Sequence, residues 1–219
     1  MSKWFRFLSG KQEVRPSSFR LPFSQDRFLE VVRQIESSEL TERGESFPKG
    51  LAAEVAPRLL PLSSLFKGPR FLVTLGTREG ATVQGREGSL PLVSASLDLV
   101  LLRVYQGRKQ TSLLLKEASR VLREKGRLVL VDLHPFSPMV QEEYRGQAVT
   151  EEGPPPGFER YFKGVGLDRW VVEGVREIFF DNSWKKFFRE NEMDQMDQLR
   201  RRPCLLILTL RRESLRHVD

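Results

Sequence analysis

Residues 89–102, SLPLVSASLDLVLL, and residues 113–132, LLLKEASRVLREKGRLVLVD, carry the pattern from which the rest of the chain is read. Leu97–Leu102 is almost wholly apolar, as expected of a strand covered on both faces. Thr111–Arg123 places Leu114, Ala118, Val121 and Leu122 at the spacing of a helix with one buried face, and Gly126 stands just beyond it as a stop. Arg127–Asp132 is again a continuous apolar run with β-branched residues. Strand, helix and strand in that order predict an α/β fold with a largely parallel sheet.

Working outward, Ser24 followed by Gln25–Glu36 reads as a capped amphipathic helix with Phe28, Leu29, Val32 and Ile35 on one face. Residues 37–46 are polar and loop-like. Pro48–Leu60 reads as a second helix, with proline near its first turn and Leu51, Val55, Leu59 and Leu60 at helical spacing. Phe71–Leu75, ending at Gly76, is a strand candidate. The stretch TEEGPPPG at 150–157 excludes regular structure. Trp170–Phe180 reads as a strand, Trp184–Arg201 as a polar helix and Cys204–Leu210 as a final strand. The expected organisation is a basic, aromatic segment at 1–23 and one α/β domain at 24–219.

The stretch from Ser89 to Asp132 resembles the middle and later part of class I S-adenosylmethionine-dependent methyltransferases, the "type 11" small-molecule group in particular. A leucine–proline–apolar turn (Leu90–Pro91–Leu92) is followed by an aspartate at the head of an apolar strand (Asp98). A helix then carries leucine, an acid and arginine–valine–leucine at the family's spacing, here Leu114, Glu117, Arg120, Val121 and Leu122. The resemblance implies a Rossmann-like methyltransferase sheet whose last strand is antiparallel. Asp98 is expected to accept backbone N–H bonds or pair with a basic side chain, and Arg120 to snorkel outward while Val121 and Leu122 pack on the sheet.

The same resemblance implies a cofactor site after the first strand, in a loop of pattern G-x-G-x-G, with an acid at the end of the second strand for the ribose hydroxyls. Taking Phe71–Leu75 as the first strand, the candidate loop is Leu75–Gly80, with Arg78 in place of the middle glycine. Gly76, Gly80, Glu87 and Leu90 are then the residues nearest the cofactor, and Glu79 and Glu87 the carboxylates at hand. From Gly76 to Leu90 there are 14 residues, too few for two crossovers when one strand–helix–strand unit takes roughly 30. The expected fold is therefore truncated around the second strand and preceded by helices. Two functions stay open: a degenerate methyltransferase serving as a noncatalytic interaction or scaffolding subunit beside a protein partner, and an enzyme acting on a small-molecule acceptor through a remodelled pocket.

His134, after the strand 127–132, is the candidate general base, with Asp132 beside it; the competing role for both is to shape a turn. The pairs Glu142–Glu143 and Glu151–Glu152 read as solvated acids, and Arg200–Arg202 as a charged run guarding a sheet edge. Trp170, Phe179, Phe180, Trp184, Phe187 and Phe188 read as core or lid packing, because no RNA-binding consensus accompanies them.

Composition narrows the field further. Hydrophobic residues at 39% of 219, with 15 Phe, are enough for a buried core and exclude wholesale disorder. The longest apolar runs fall far short of the roughly 20 residues a membrane helix needs, and the amino end lacks a secretory signal. Two His and one Cys do not make a zinc site, and a lone Cys204 fits a reducing cytoplasm. The net charge of +7 is held by the ends: residues 1–20 and 199–219 each carry +4, and the body between them carries −1. Such ends suit anionic surfaces or nucleic acid, and equally serve as solvated termini.

Overall fold

The computed structural model describes residues 21–41, 50–56, 70–75, 89–105, 108–143 and 170–213. In chain order these form α1 (Gln25–Thr41), β1 (Leu51–Val55), β2 (Arg70–Leu75), β3 (Leu97–Val104), α2 (Arg108–Val121), β4 (Leu122–Leu133), α3 (Pro138–Glu143) and β5 (Trp170–Phe179). Two short 3-10 turns (Asn182–Phe187 and Glu190–Glu192), α4 (Met193–Leu199) and β6 (Pro203–Arg212) follow. Six strands make one sheet in the order β2-β1-β3-β4-β6-β5. The strands β2, β1, β3 and β4 run parallel, and β6 is antiparallel to both neighbours. The expected α/β, Rossmann-like sheet with an antiparallel last strand is the fold observed.

Several local expectations change. Pro48–Leu60 is not a helix, because residues 51–55 are a strand between β2 and β3, with Ala52, Ala53 and Val55 buried. Apolar residues four apart (Leu51, Val55, Leu59) fit a helix, but Pro57 disfavours helical backbone at Ala56, and the two flanking strands supply partners that local propensity cannot. Residues 37–41, expected in a loop, continue α1, burying Ser38, Glu39 and Leu40. The region 184–201 breaks into 3-10 turns before α4, and β6 is an inner strand, so Arg200–Arg202 guard no edge. They form a turn in which Arg201 has φ +65° and donates its N–H to the Phe180 carbonyl.

Two apolar layers flank the sheet. On one face Phe28, Val31, Val32 and Ile35 of α1 pack with Leu99, Leu101, Val129, Val131, Ile207, Phe180 and Met196. On the other, Leu114, Leu115, Ala118 and Val121 of α2 pack with Val100, Leu102, Leu128, Leu130, Leu206 and Leu208. Asp98 does what its position predicts: it accepts the Leu51 N–H at 2.8 Å and pairs with Arg123 at 2.9 Å, tying the start of β1 to β3. Gly50 precedes this contact at φ +154°, and a Cβ there would lie 2.4 Å from the Asp98 carboxylate. Only glycine lets the chain enter the strand this closely.

At its amino end α1 is held by charge. Ser24 Oγ caps the Arg27 N–H, and the Arg27 guanidinium grips Glu192 with two bonds of 2.7 and 2.9 Å. The bonds from Arg27 are the main reason the Glu192 carboxyl is held down to about 2, against an ordinary 4.5. A carboxyl lowered on folding stabilises the fold above its unfolded value and loses that contribution as pH falls through the folded one. Glu192→Gln is therefore expected to flatten the stability–pH profile between about pH 4.5 and 2 in urea titrations. Parallel profiles for the two proteins would contradict the pairing.

Candidate functional site

The chain passes from β1 to β2 on one side and then from β2 back past β1 to β3 on the other, so the strand order reverses between β1 and β3. In open α/β sheets, ligands bind outside the carboxyl ends of the strands at this switch point. Here those ends are Val55–Ala56 and Val104–Tyr105.

Alternation along β3 puts Leu99, Leu101, Arg103 and Tyr105 on the α1 face, and along β1 it puts Ala52, Glu54 and Ala56 there. α1 runs over these ends and contributes Glu36. Arg103 donates from Nε and Nη2 to the Glu36 carboxylate at 2.6 and 2.7 Å, and from Nη1 to Glu54 at 2.9 Å. The Tyr105 hydroxyl donates to Glu36 at 2.6 Å. Glu36 and Glu54 are fully buried, and Arg103 is 1% exposed. Burial opposes the Arg103 charge, and its bonds to Glu36 together with the electrostatic attraction of Glu36, Tyr105 and Glu54 more than offset that. Burial, then the Glu36 charge, pushes the Tyr105 hydroxyl up, so it stays a donor. Among the described residues, the floor of the switch point is thus an internal ion cluster joining three elements. Sequence reading passed over it, because a charged residue near the end of an apolar run looks like the end of the strand. The usable signal was Arg103 inside LDLVLLRV and Glu54 inside LAAEV.

The expected site residues are dispersed. Asp132 and His134 stand at the carboxyl end of β4, but Asp132 follows Leu128 and Leu130 onto the α2 face, across the sheet from the cluster. Asp132 accepts the Leu133 N–H at 2.7 Å. His134 is 2% exposed; its Nδ1 accepts the Phe136 N–H at 3.0 Å and its Nε2 lies 2.8 Å from Glu177. That pairing puts the ring proton on Nε2, so a general base at His134 would first have to give up the Phe136 bond. Leu90 lies beside the last turn of α2, near where β3 begins, at the end of the sheet opposite the switch point. Its N–H goes to Glu117 at 2.7 Å and its carbonyl to Arg120 at 2.8 Å, so its backbone is spent on the turn. Arg120 does not snorkel into solvent: it also bonds the Leu92 carbonyl and Ser94 and clamps the turn that leads into β3. Gly76, Gly80 and Glu87 lie outside the described residues, as do residues 1–20 and the 150–157 stretch. The strand ahead of Gly76 is β2, not the first, so the loop after it is not the one following the first strand. Among the described residues no cluster of His, Cys, Asp and Glu is arranged to hold a metal ion, and no helix is long and apolar enough to cross a membrane.

No family model matches the chain, and no curated protein matches it in sequence. Solved structures do match. An S-adenosylmethionine-dependent methyltransferase from Mesorhizobium loti superposes with a TM-score of 0.56 at 13% identity, over 84% of this chain and 100% of that one. The geranyl diphosphate C-methyltransferase from Streptomyces coelicolor A3(2), solved with Mg2+, geranyl diphosphate and S-adenosyl-L-homocysteine, gives 0.55 at 11% identity, over 88% and 86%. The fold is that of class I S-adenosylmethionine-dependent methyltransferases. In this methyltransferase fold β1 is the first strand, so a G-x-G-x-G loop directly after it would fall on Ala56, Arg58 and Leu60. Ala56 is 1% exposed and packs in the α1-side core. These residues do not fit a backbone cradle around the cofactor, which needs the room that missing Cβ atoms leave.

Removing one partner of a buried ion cluster leaves its counter-charges unsatisfied, at a cost of about 3–5 kcal/mol. Arg103→Met is expected to cost that much at neutral pH. The loss should shrink as pH falls, because unpaired buried carboxylates take up protons more readily in the folded chain than in the unfolded one. Urea unfolding at several pH values checks this, and a small, pH-independent loss would contradict it.

Proposed function

We propose that this chain is a degenerate methyltransferase: a protein descended from small-molecule methyltransferases of the type 11 group that has given up their way of holding S-adenosylmethionine. It works as a noncatalytic subunit that binds a protein partner. One observation carries the reading: Ala56, Arg58 and Leu60 occupy the positions where a glycine loop would follow β1, and the first of them is packed into the core.

Two further observations support it. Among the described residues, Glu36, Glu54, Arg103 and Tyr105 at the switch point bond one another and are buried. From Arg70 to Val104 the chain has length for one strand–helix–strand unit of roughly 30 residues and not for two, in keeping with a shortened cofactor half. The cytoplasm is the compartment that suits it, with Cys204 buried and its thiol pushed up by burial, away from the reactive thiolate.

The test is binding. Titration calorimetry and thermal melts with S-adenosylmethionine and S-adenosylhomocysteine at millimolar concentration are expected to give no heat and no stabilisation. A ligand of the folded state present at a hundred times its Kd would add about 2.7 kcal/mol. A saturable rise in Tm with either compound would overturn the reading in favour of an enzyme with a remodelled pocket.

A further inference from the structure

The outer edge of the sheet carries a feature that neither the fold nor the switch-point cluster uses. β5 is the last strand in the order, and among the described residues it pairs only with β6. Four large apolar side chains on it are exposed: Val171 at 39%, Val172 at 42%, Val175 at 51% and Phe179 at 41%. Through their register with Leu210, Leu208 and Leu206, residues Val172, Val175 and Glu177 share the α2 face, and Phe179 follows Glu177 there by strand alternation. They form an apolar row with one acid in it. Phe136, itself largely exposed, stands against the His134 ring that Glu177 contacts.

Natural sheets protect such edges with charge, and on β5 most of that charge is engaged within the chain. Glu173 lies between Arg127 and Arg211, each at 2.7 Å. Arg176 turns towards the buried Glu39 at 3.9 Å. Glu177 differs. Its partner is Nε2 of His134, whose Nδ1 accepts the Phe136 N–H. Among the described residues no lysine or arginine pairs with the half-exposed Glu177 carboxylate.

We propose that the edge of β5 left unpaired among the described residues takes up an extended segment of a partner protein as a further strand. That segment has apolar residues alternating along it and a lysine or arginine aligned with Glu177. Main-chain bonds to the edge give such a complex its hold, and the alternating side chains and the cation give it selectivity. A second copy of this chain fits poorly. Antiparallel self-pairing centred on Val175 sets Glu177 of each copy against Glu173 of the other, a carboxylate already held by Arg127 and Arg211, so the second copy brings Glu177 no cation. The surface deepens the reading of the chain as a partner-binding subunit.

The probes are two synthetic peptides, acetyl-Val-Thr-Lys-Thr-Val-Thr-amide, whose valines share the lysine's face, and its variant with glutamate for lysine, titrated into the full chain by NMR. The lysine peptide is expected to shift the amides of residues 171–179 saturably, with the glutamate peptide at least about tenfold weaker. Val175→Lys should cost a similar factor without lowering Tm, because Val175 is half exposed. Equal binding of both peptides, absence of binding, or indifference to Val175→Lys would overturn the proposal. A dimer in sedimentation that Val175→Lys dissolves would overturn it in favour of a second copy. None of these outcomes depends on whether the cofactor binds, so failure here and failure of the functional reading are distinguishable.

Discussion

Arg103 reaches from β3 into a region closed to water and holds two carboxylates from two other elements, Glu36 on α1 and Glu54 on β1. A buried guanidinium is costly to desolvate, and so are two buried carboxylates. The arrangement is tolerable only because their hydrogen-bonding groups meet one another at 2.6 to 2.9 Å. That constraint sets the register of α1 over the carboxyl ends of β1 and β3. Apolar packing alone would let the helix slide along a greasy face, whereas one arginine between two acids defines a position. At the other end of α1 the Arg27–Glu192 pair does the same against the turns before α4.

The consequence for function is spatial. The switch point is where an open α/β sheet offers a ligand its crevice, and in this chain the groups beneath it are turned towards each other. Cofactor sites in this fold depend on the chain passing close by without side chains, but here the step out of β1 begins with a buried alanine and then a proline. On the proposed reading the sheet architecture has been kept and the glycine loop that would make it a cofactor site has not. What the fold still presents outward is the long edge strand β5, on the far side from β1.

Legibility in the sequence followed burial. β3, α2 and β4 were readable because strands covered on both faces are continuous apolar runs, although the helix ends at Val121, Gly126 lies within β4 and the left-handed residue there is Lys125 at φ +62°. β1 was not, since LAAEV is too short and too mixed to show a period, and its neighbours in sequence supply leucines at helical spacing. It is a strand because β2 and β3 flank it, which is non-local information, although Pro57 argued against a helix running through it. The misplacement carried a cost downstream. Counting strands from Phe71 moved the expected glycine loop to Gly76–Gly80 and left Ala56–Leu60, where the pattern falls, unread. The ion cluster escaped for a related reason: a charge inside an apolar run marks a boundary when it is exposed and a partnership when it is buried, and only the fold says which. The mismatch at Leu90 has the same root, since its turn belongs to the α2 end of the sheet, held there by Glu117 and Arg120.

A crystal structure of the chain grown with millimolar S-adenosylhomocysteine tests the central claim most directly. The account predicts that Arg103 still bridges Glu36 and Glu54 and that no cofactor density lies outside the ends of β1 and β3. Density for the cofactor between the carboxyl ends of Val55 and Val104 would contradict it.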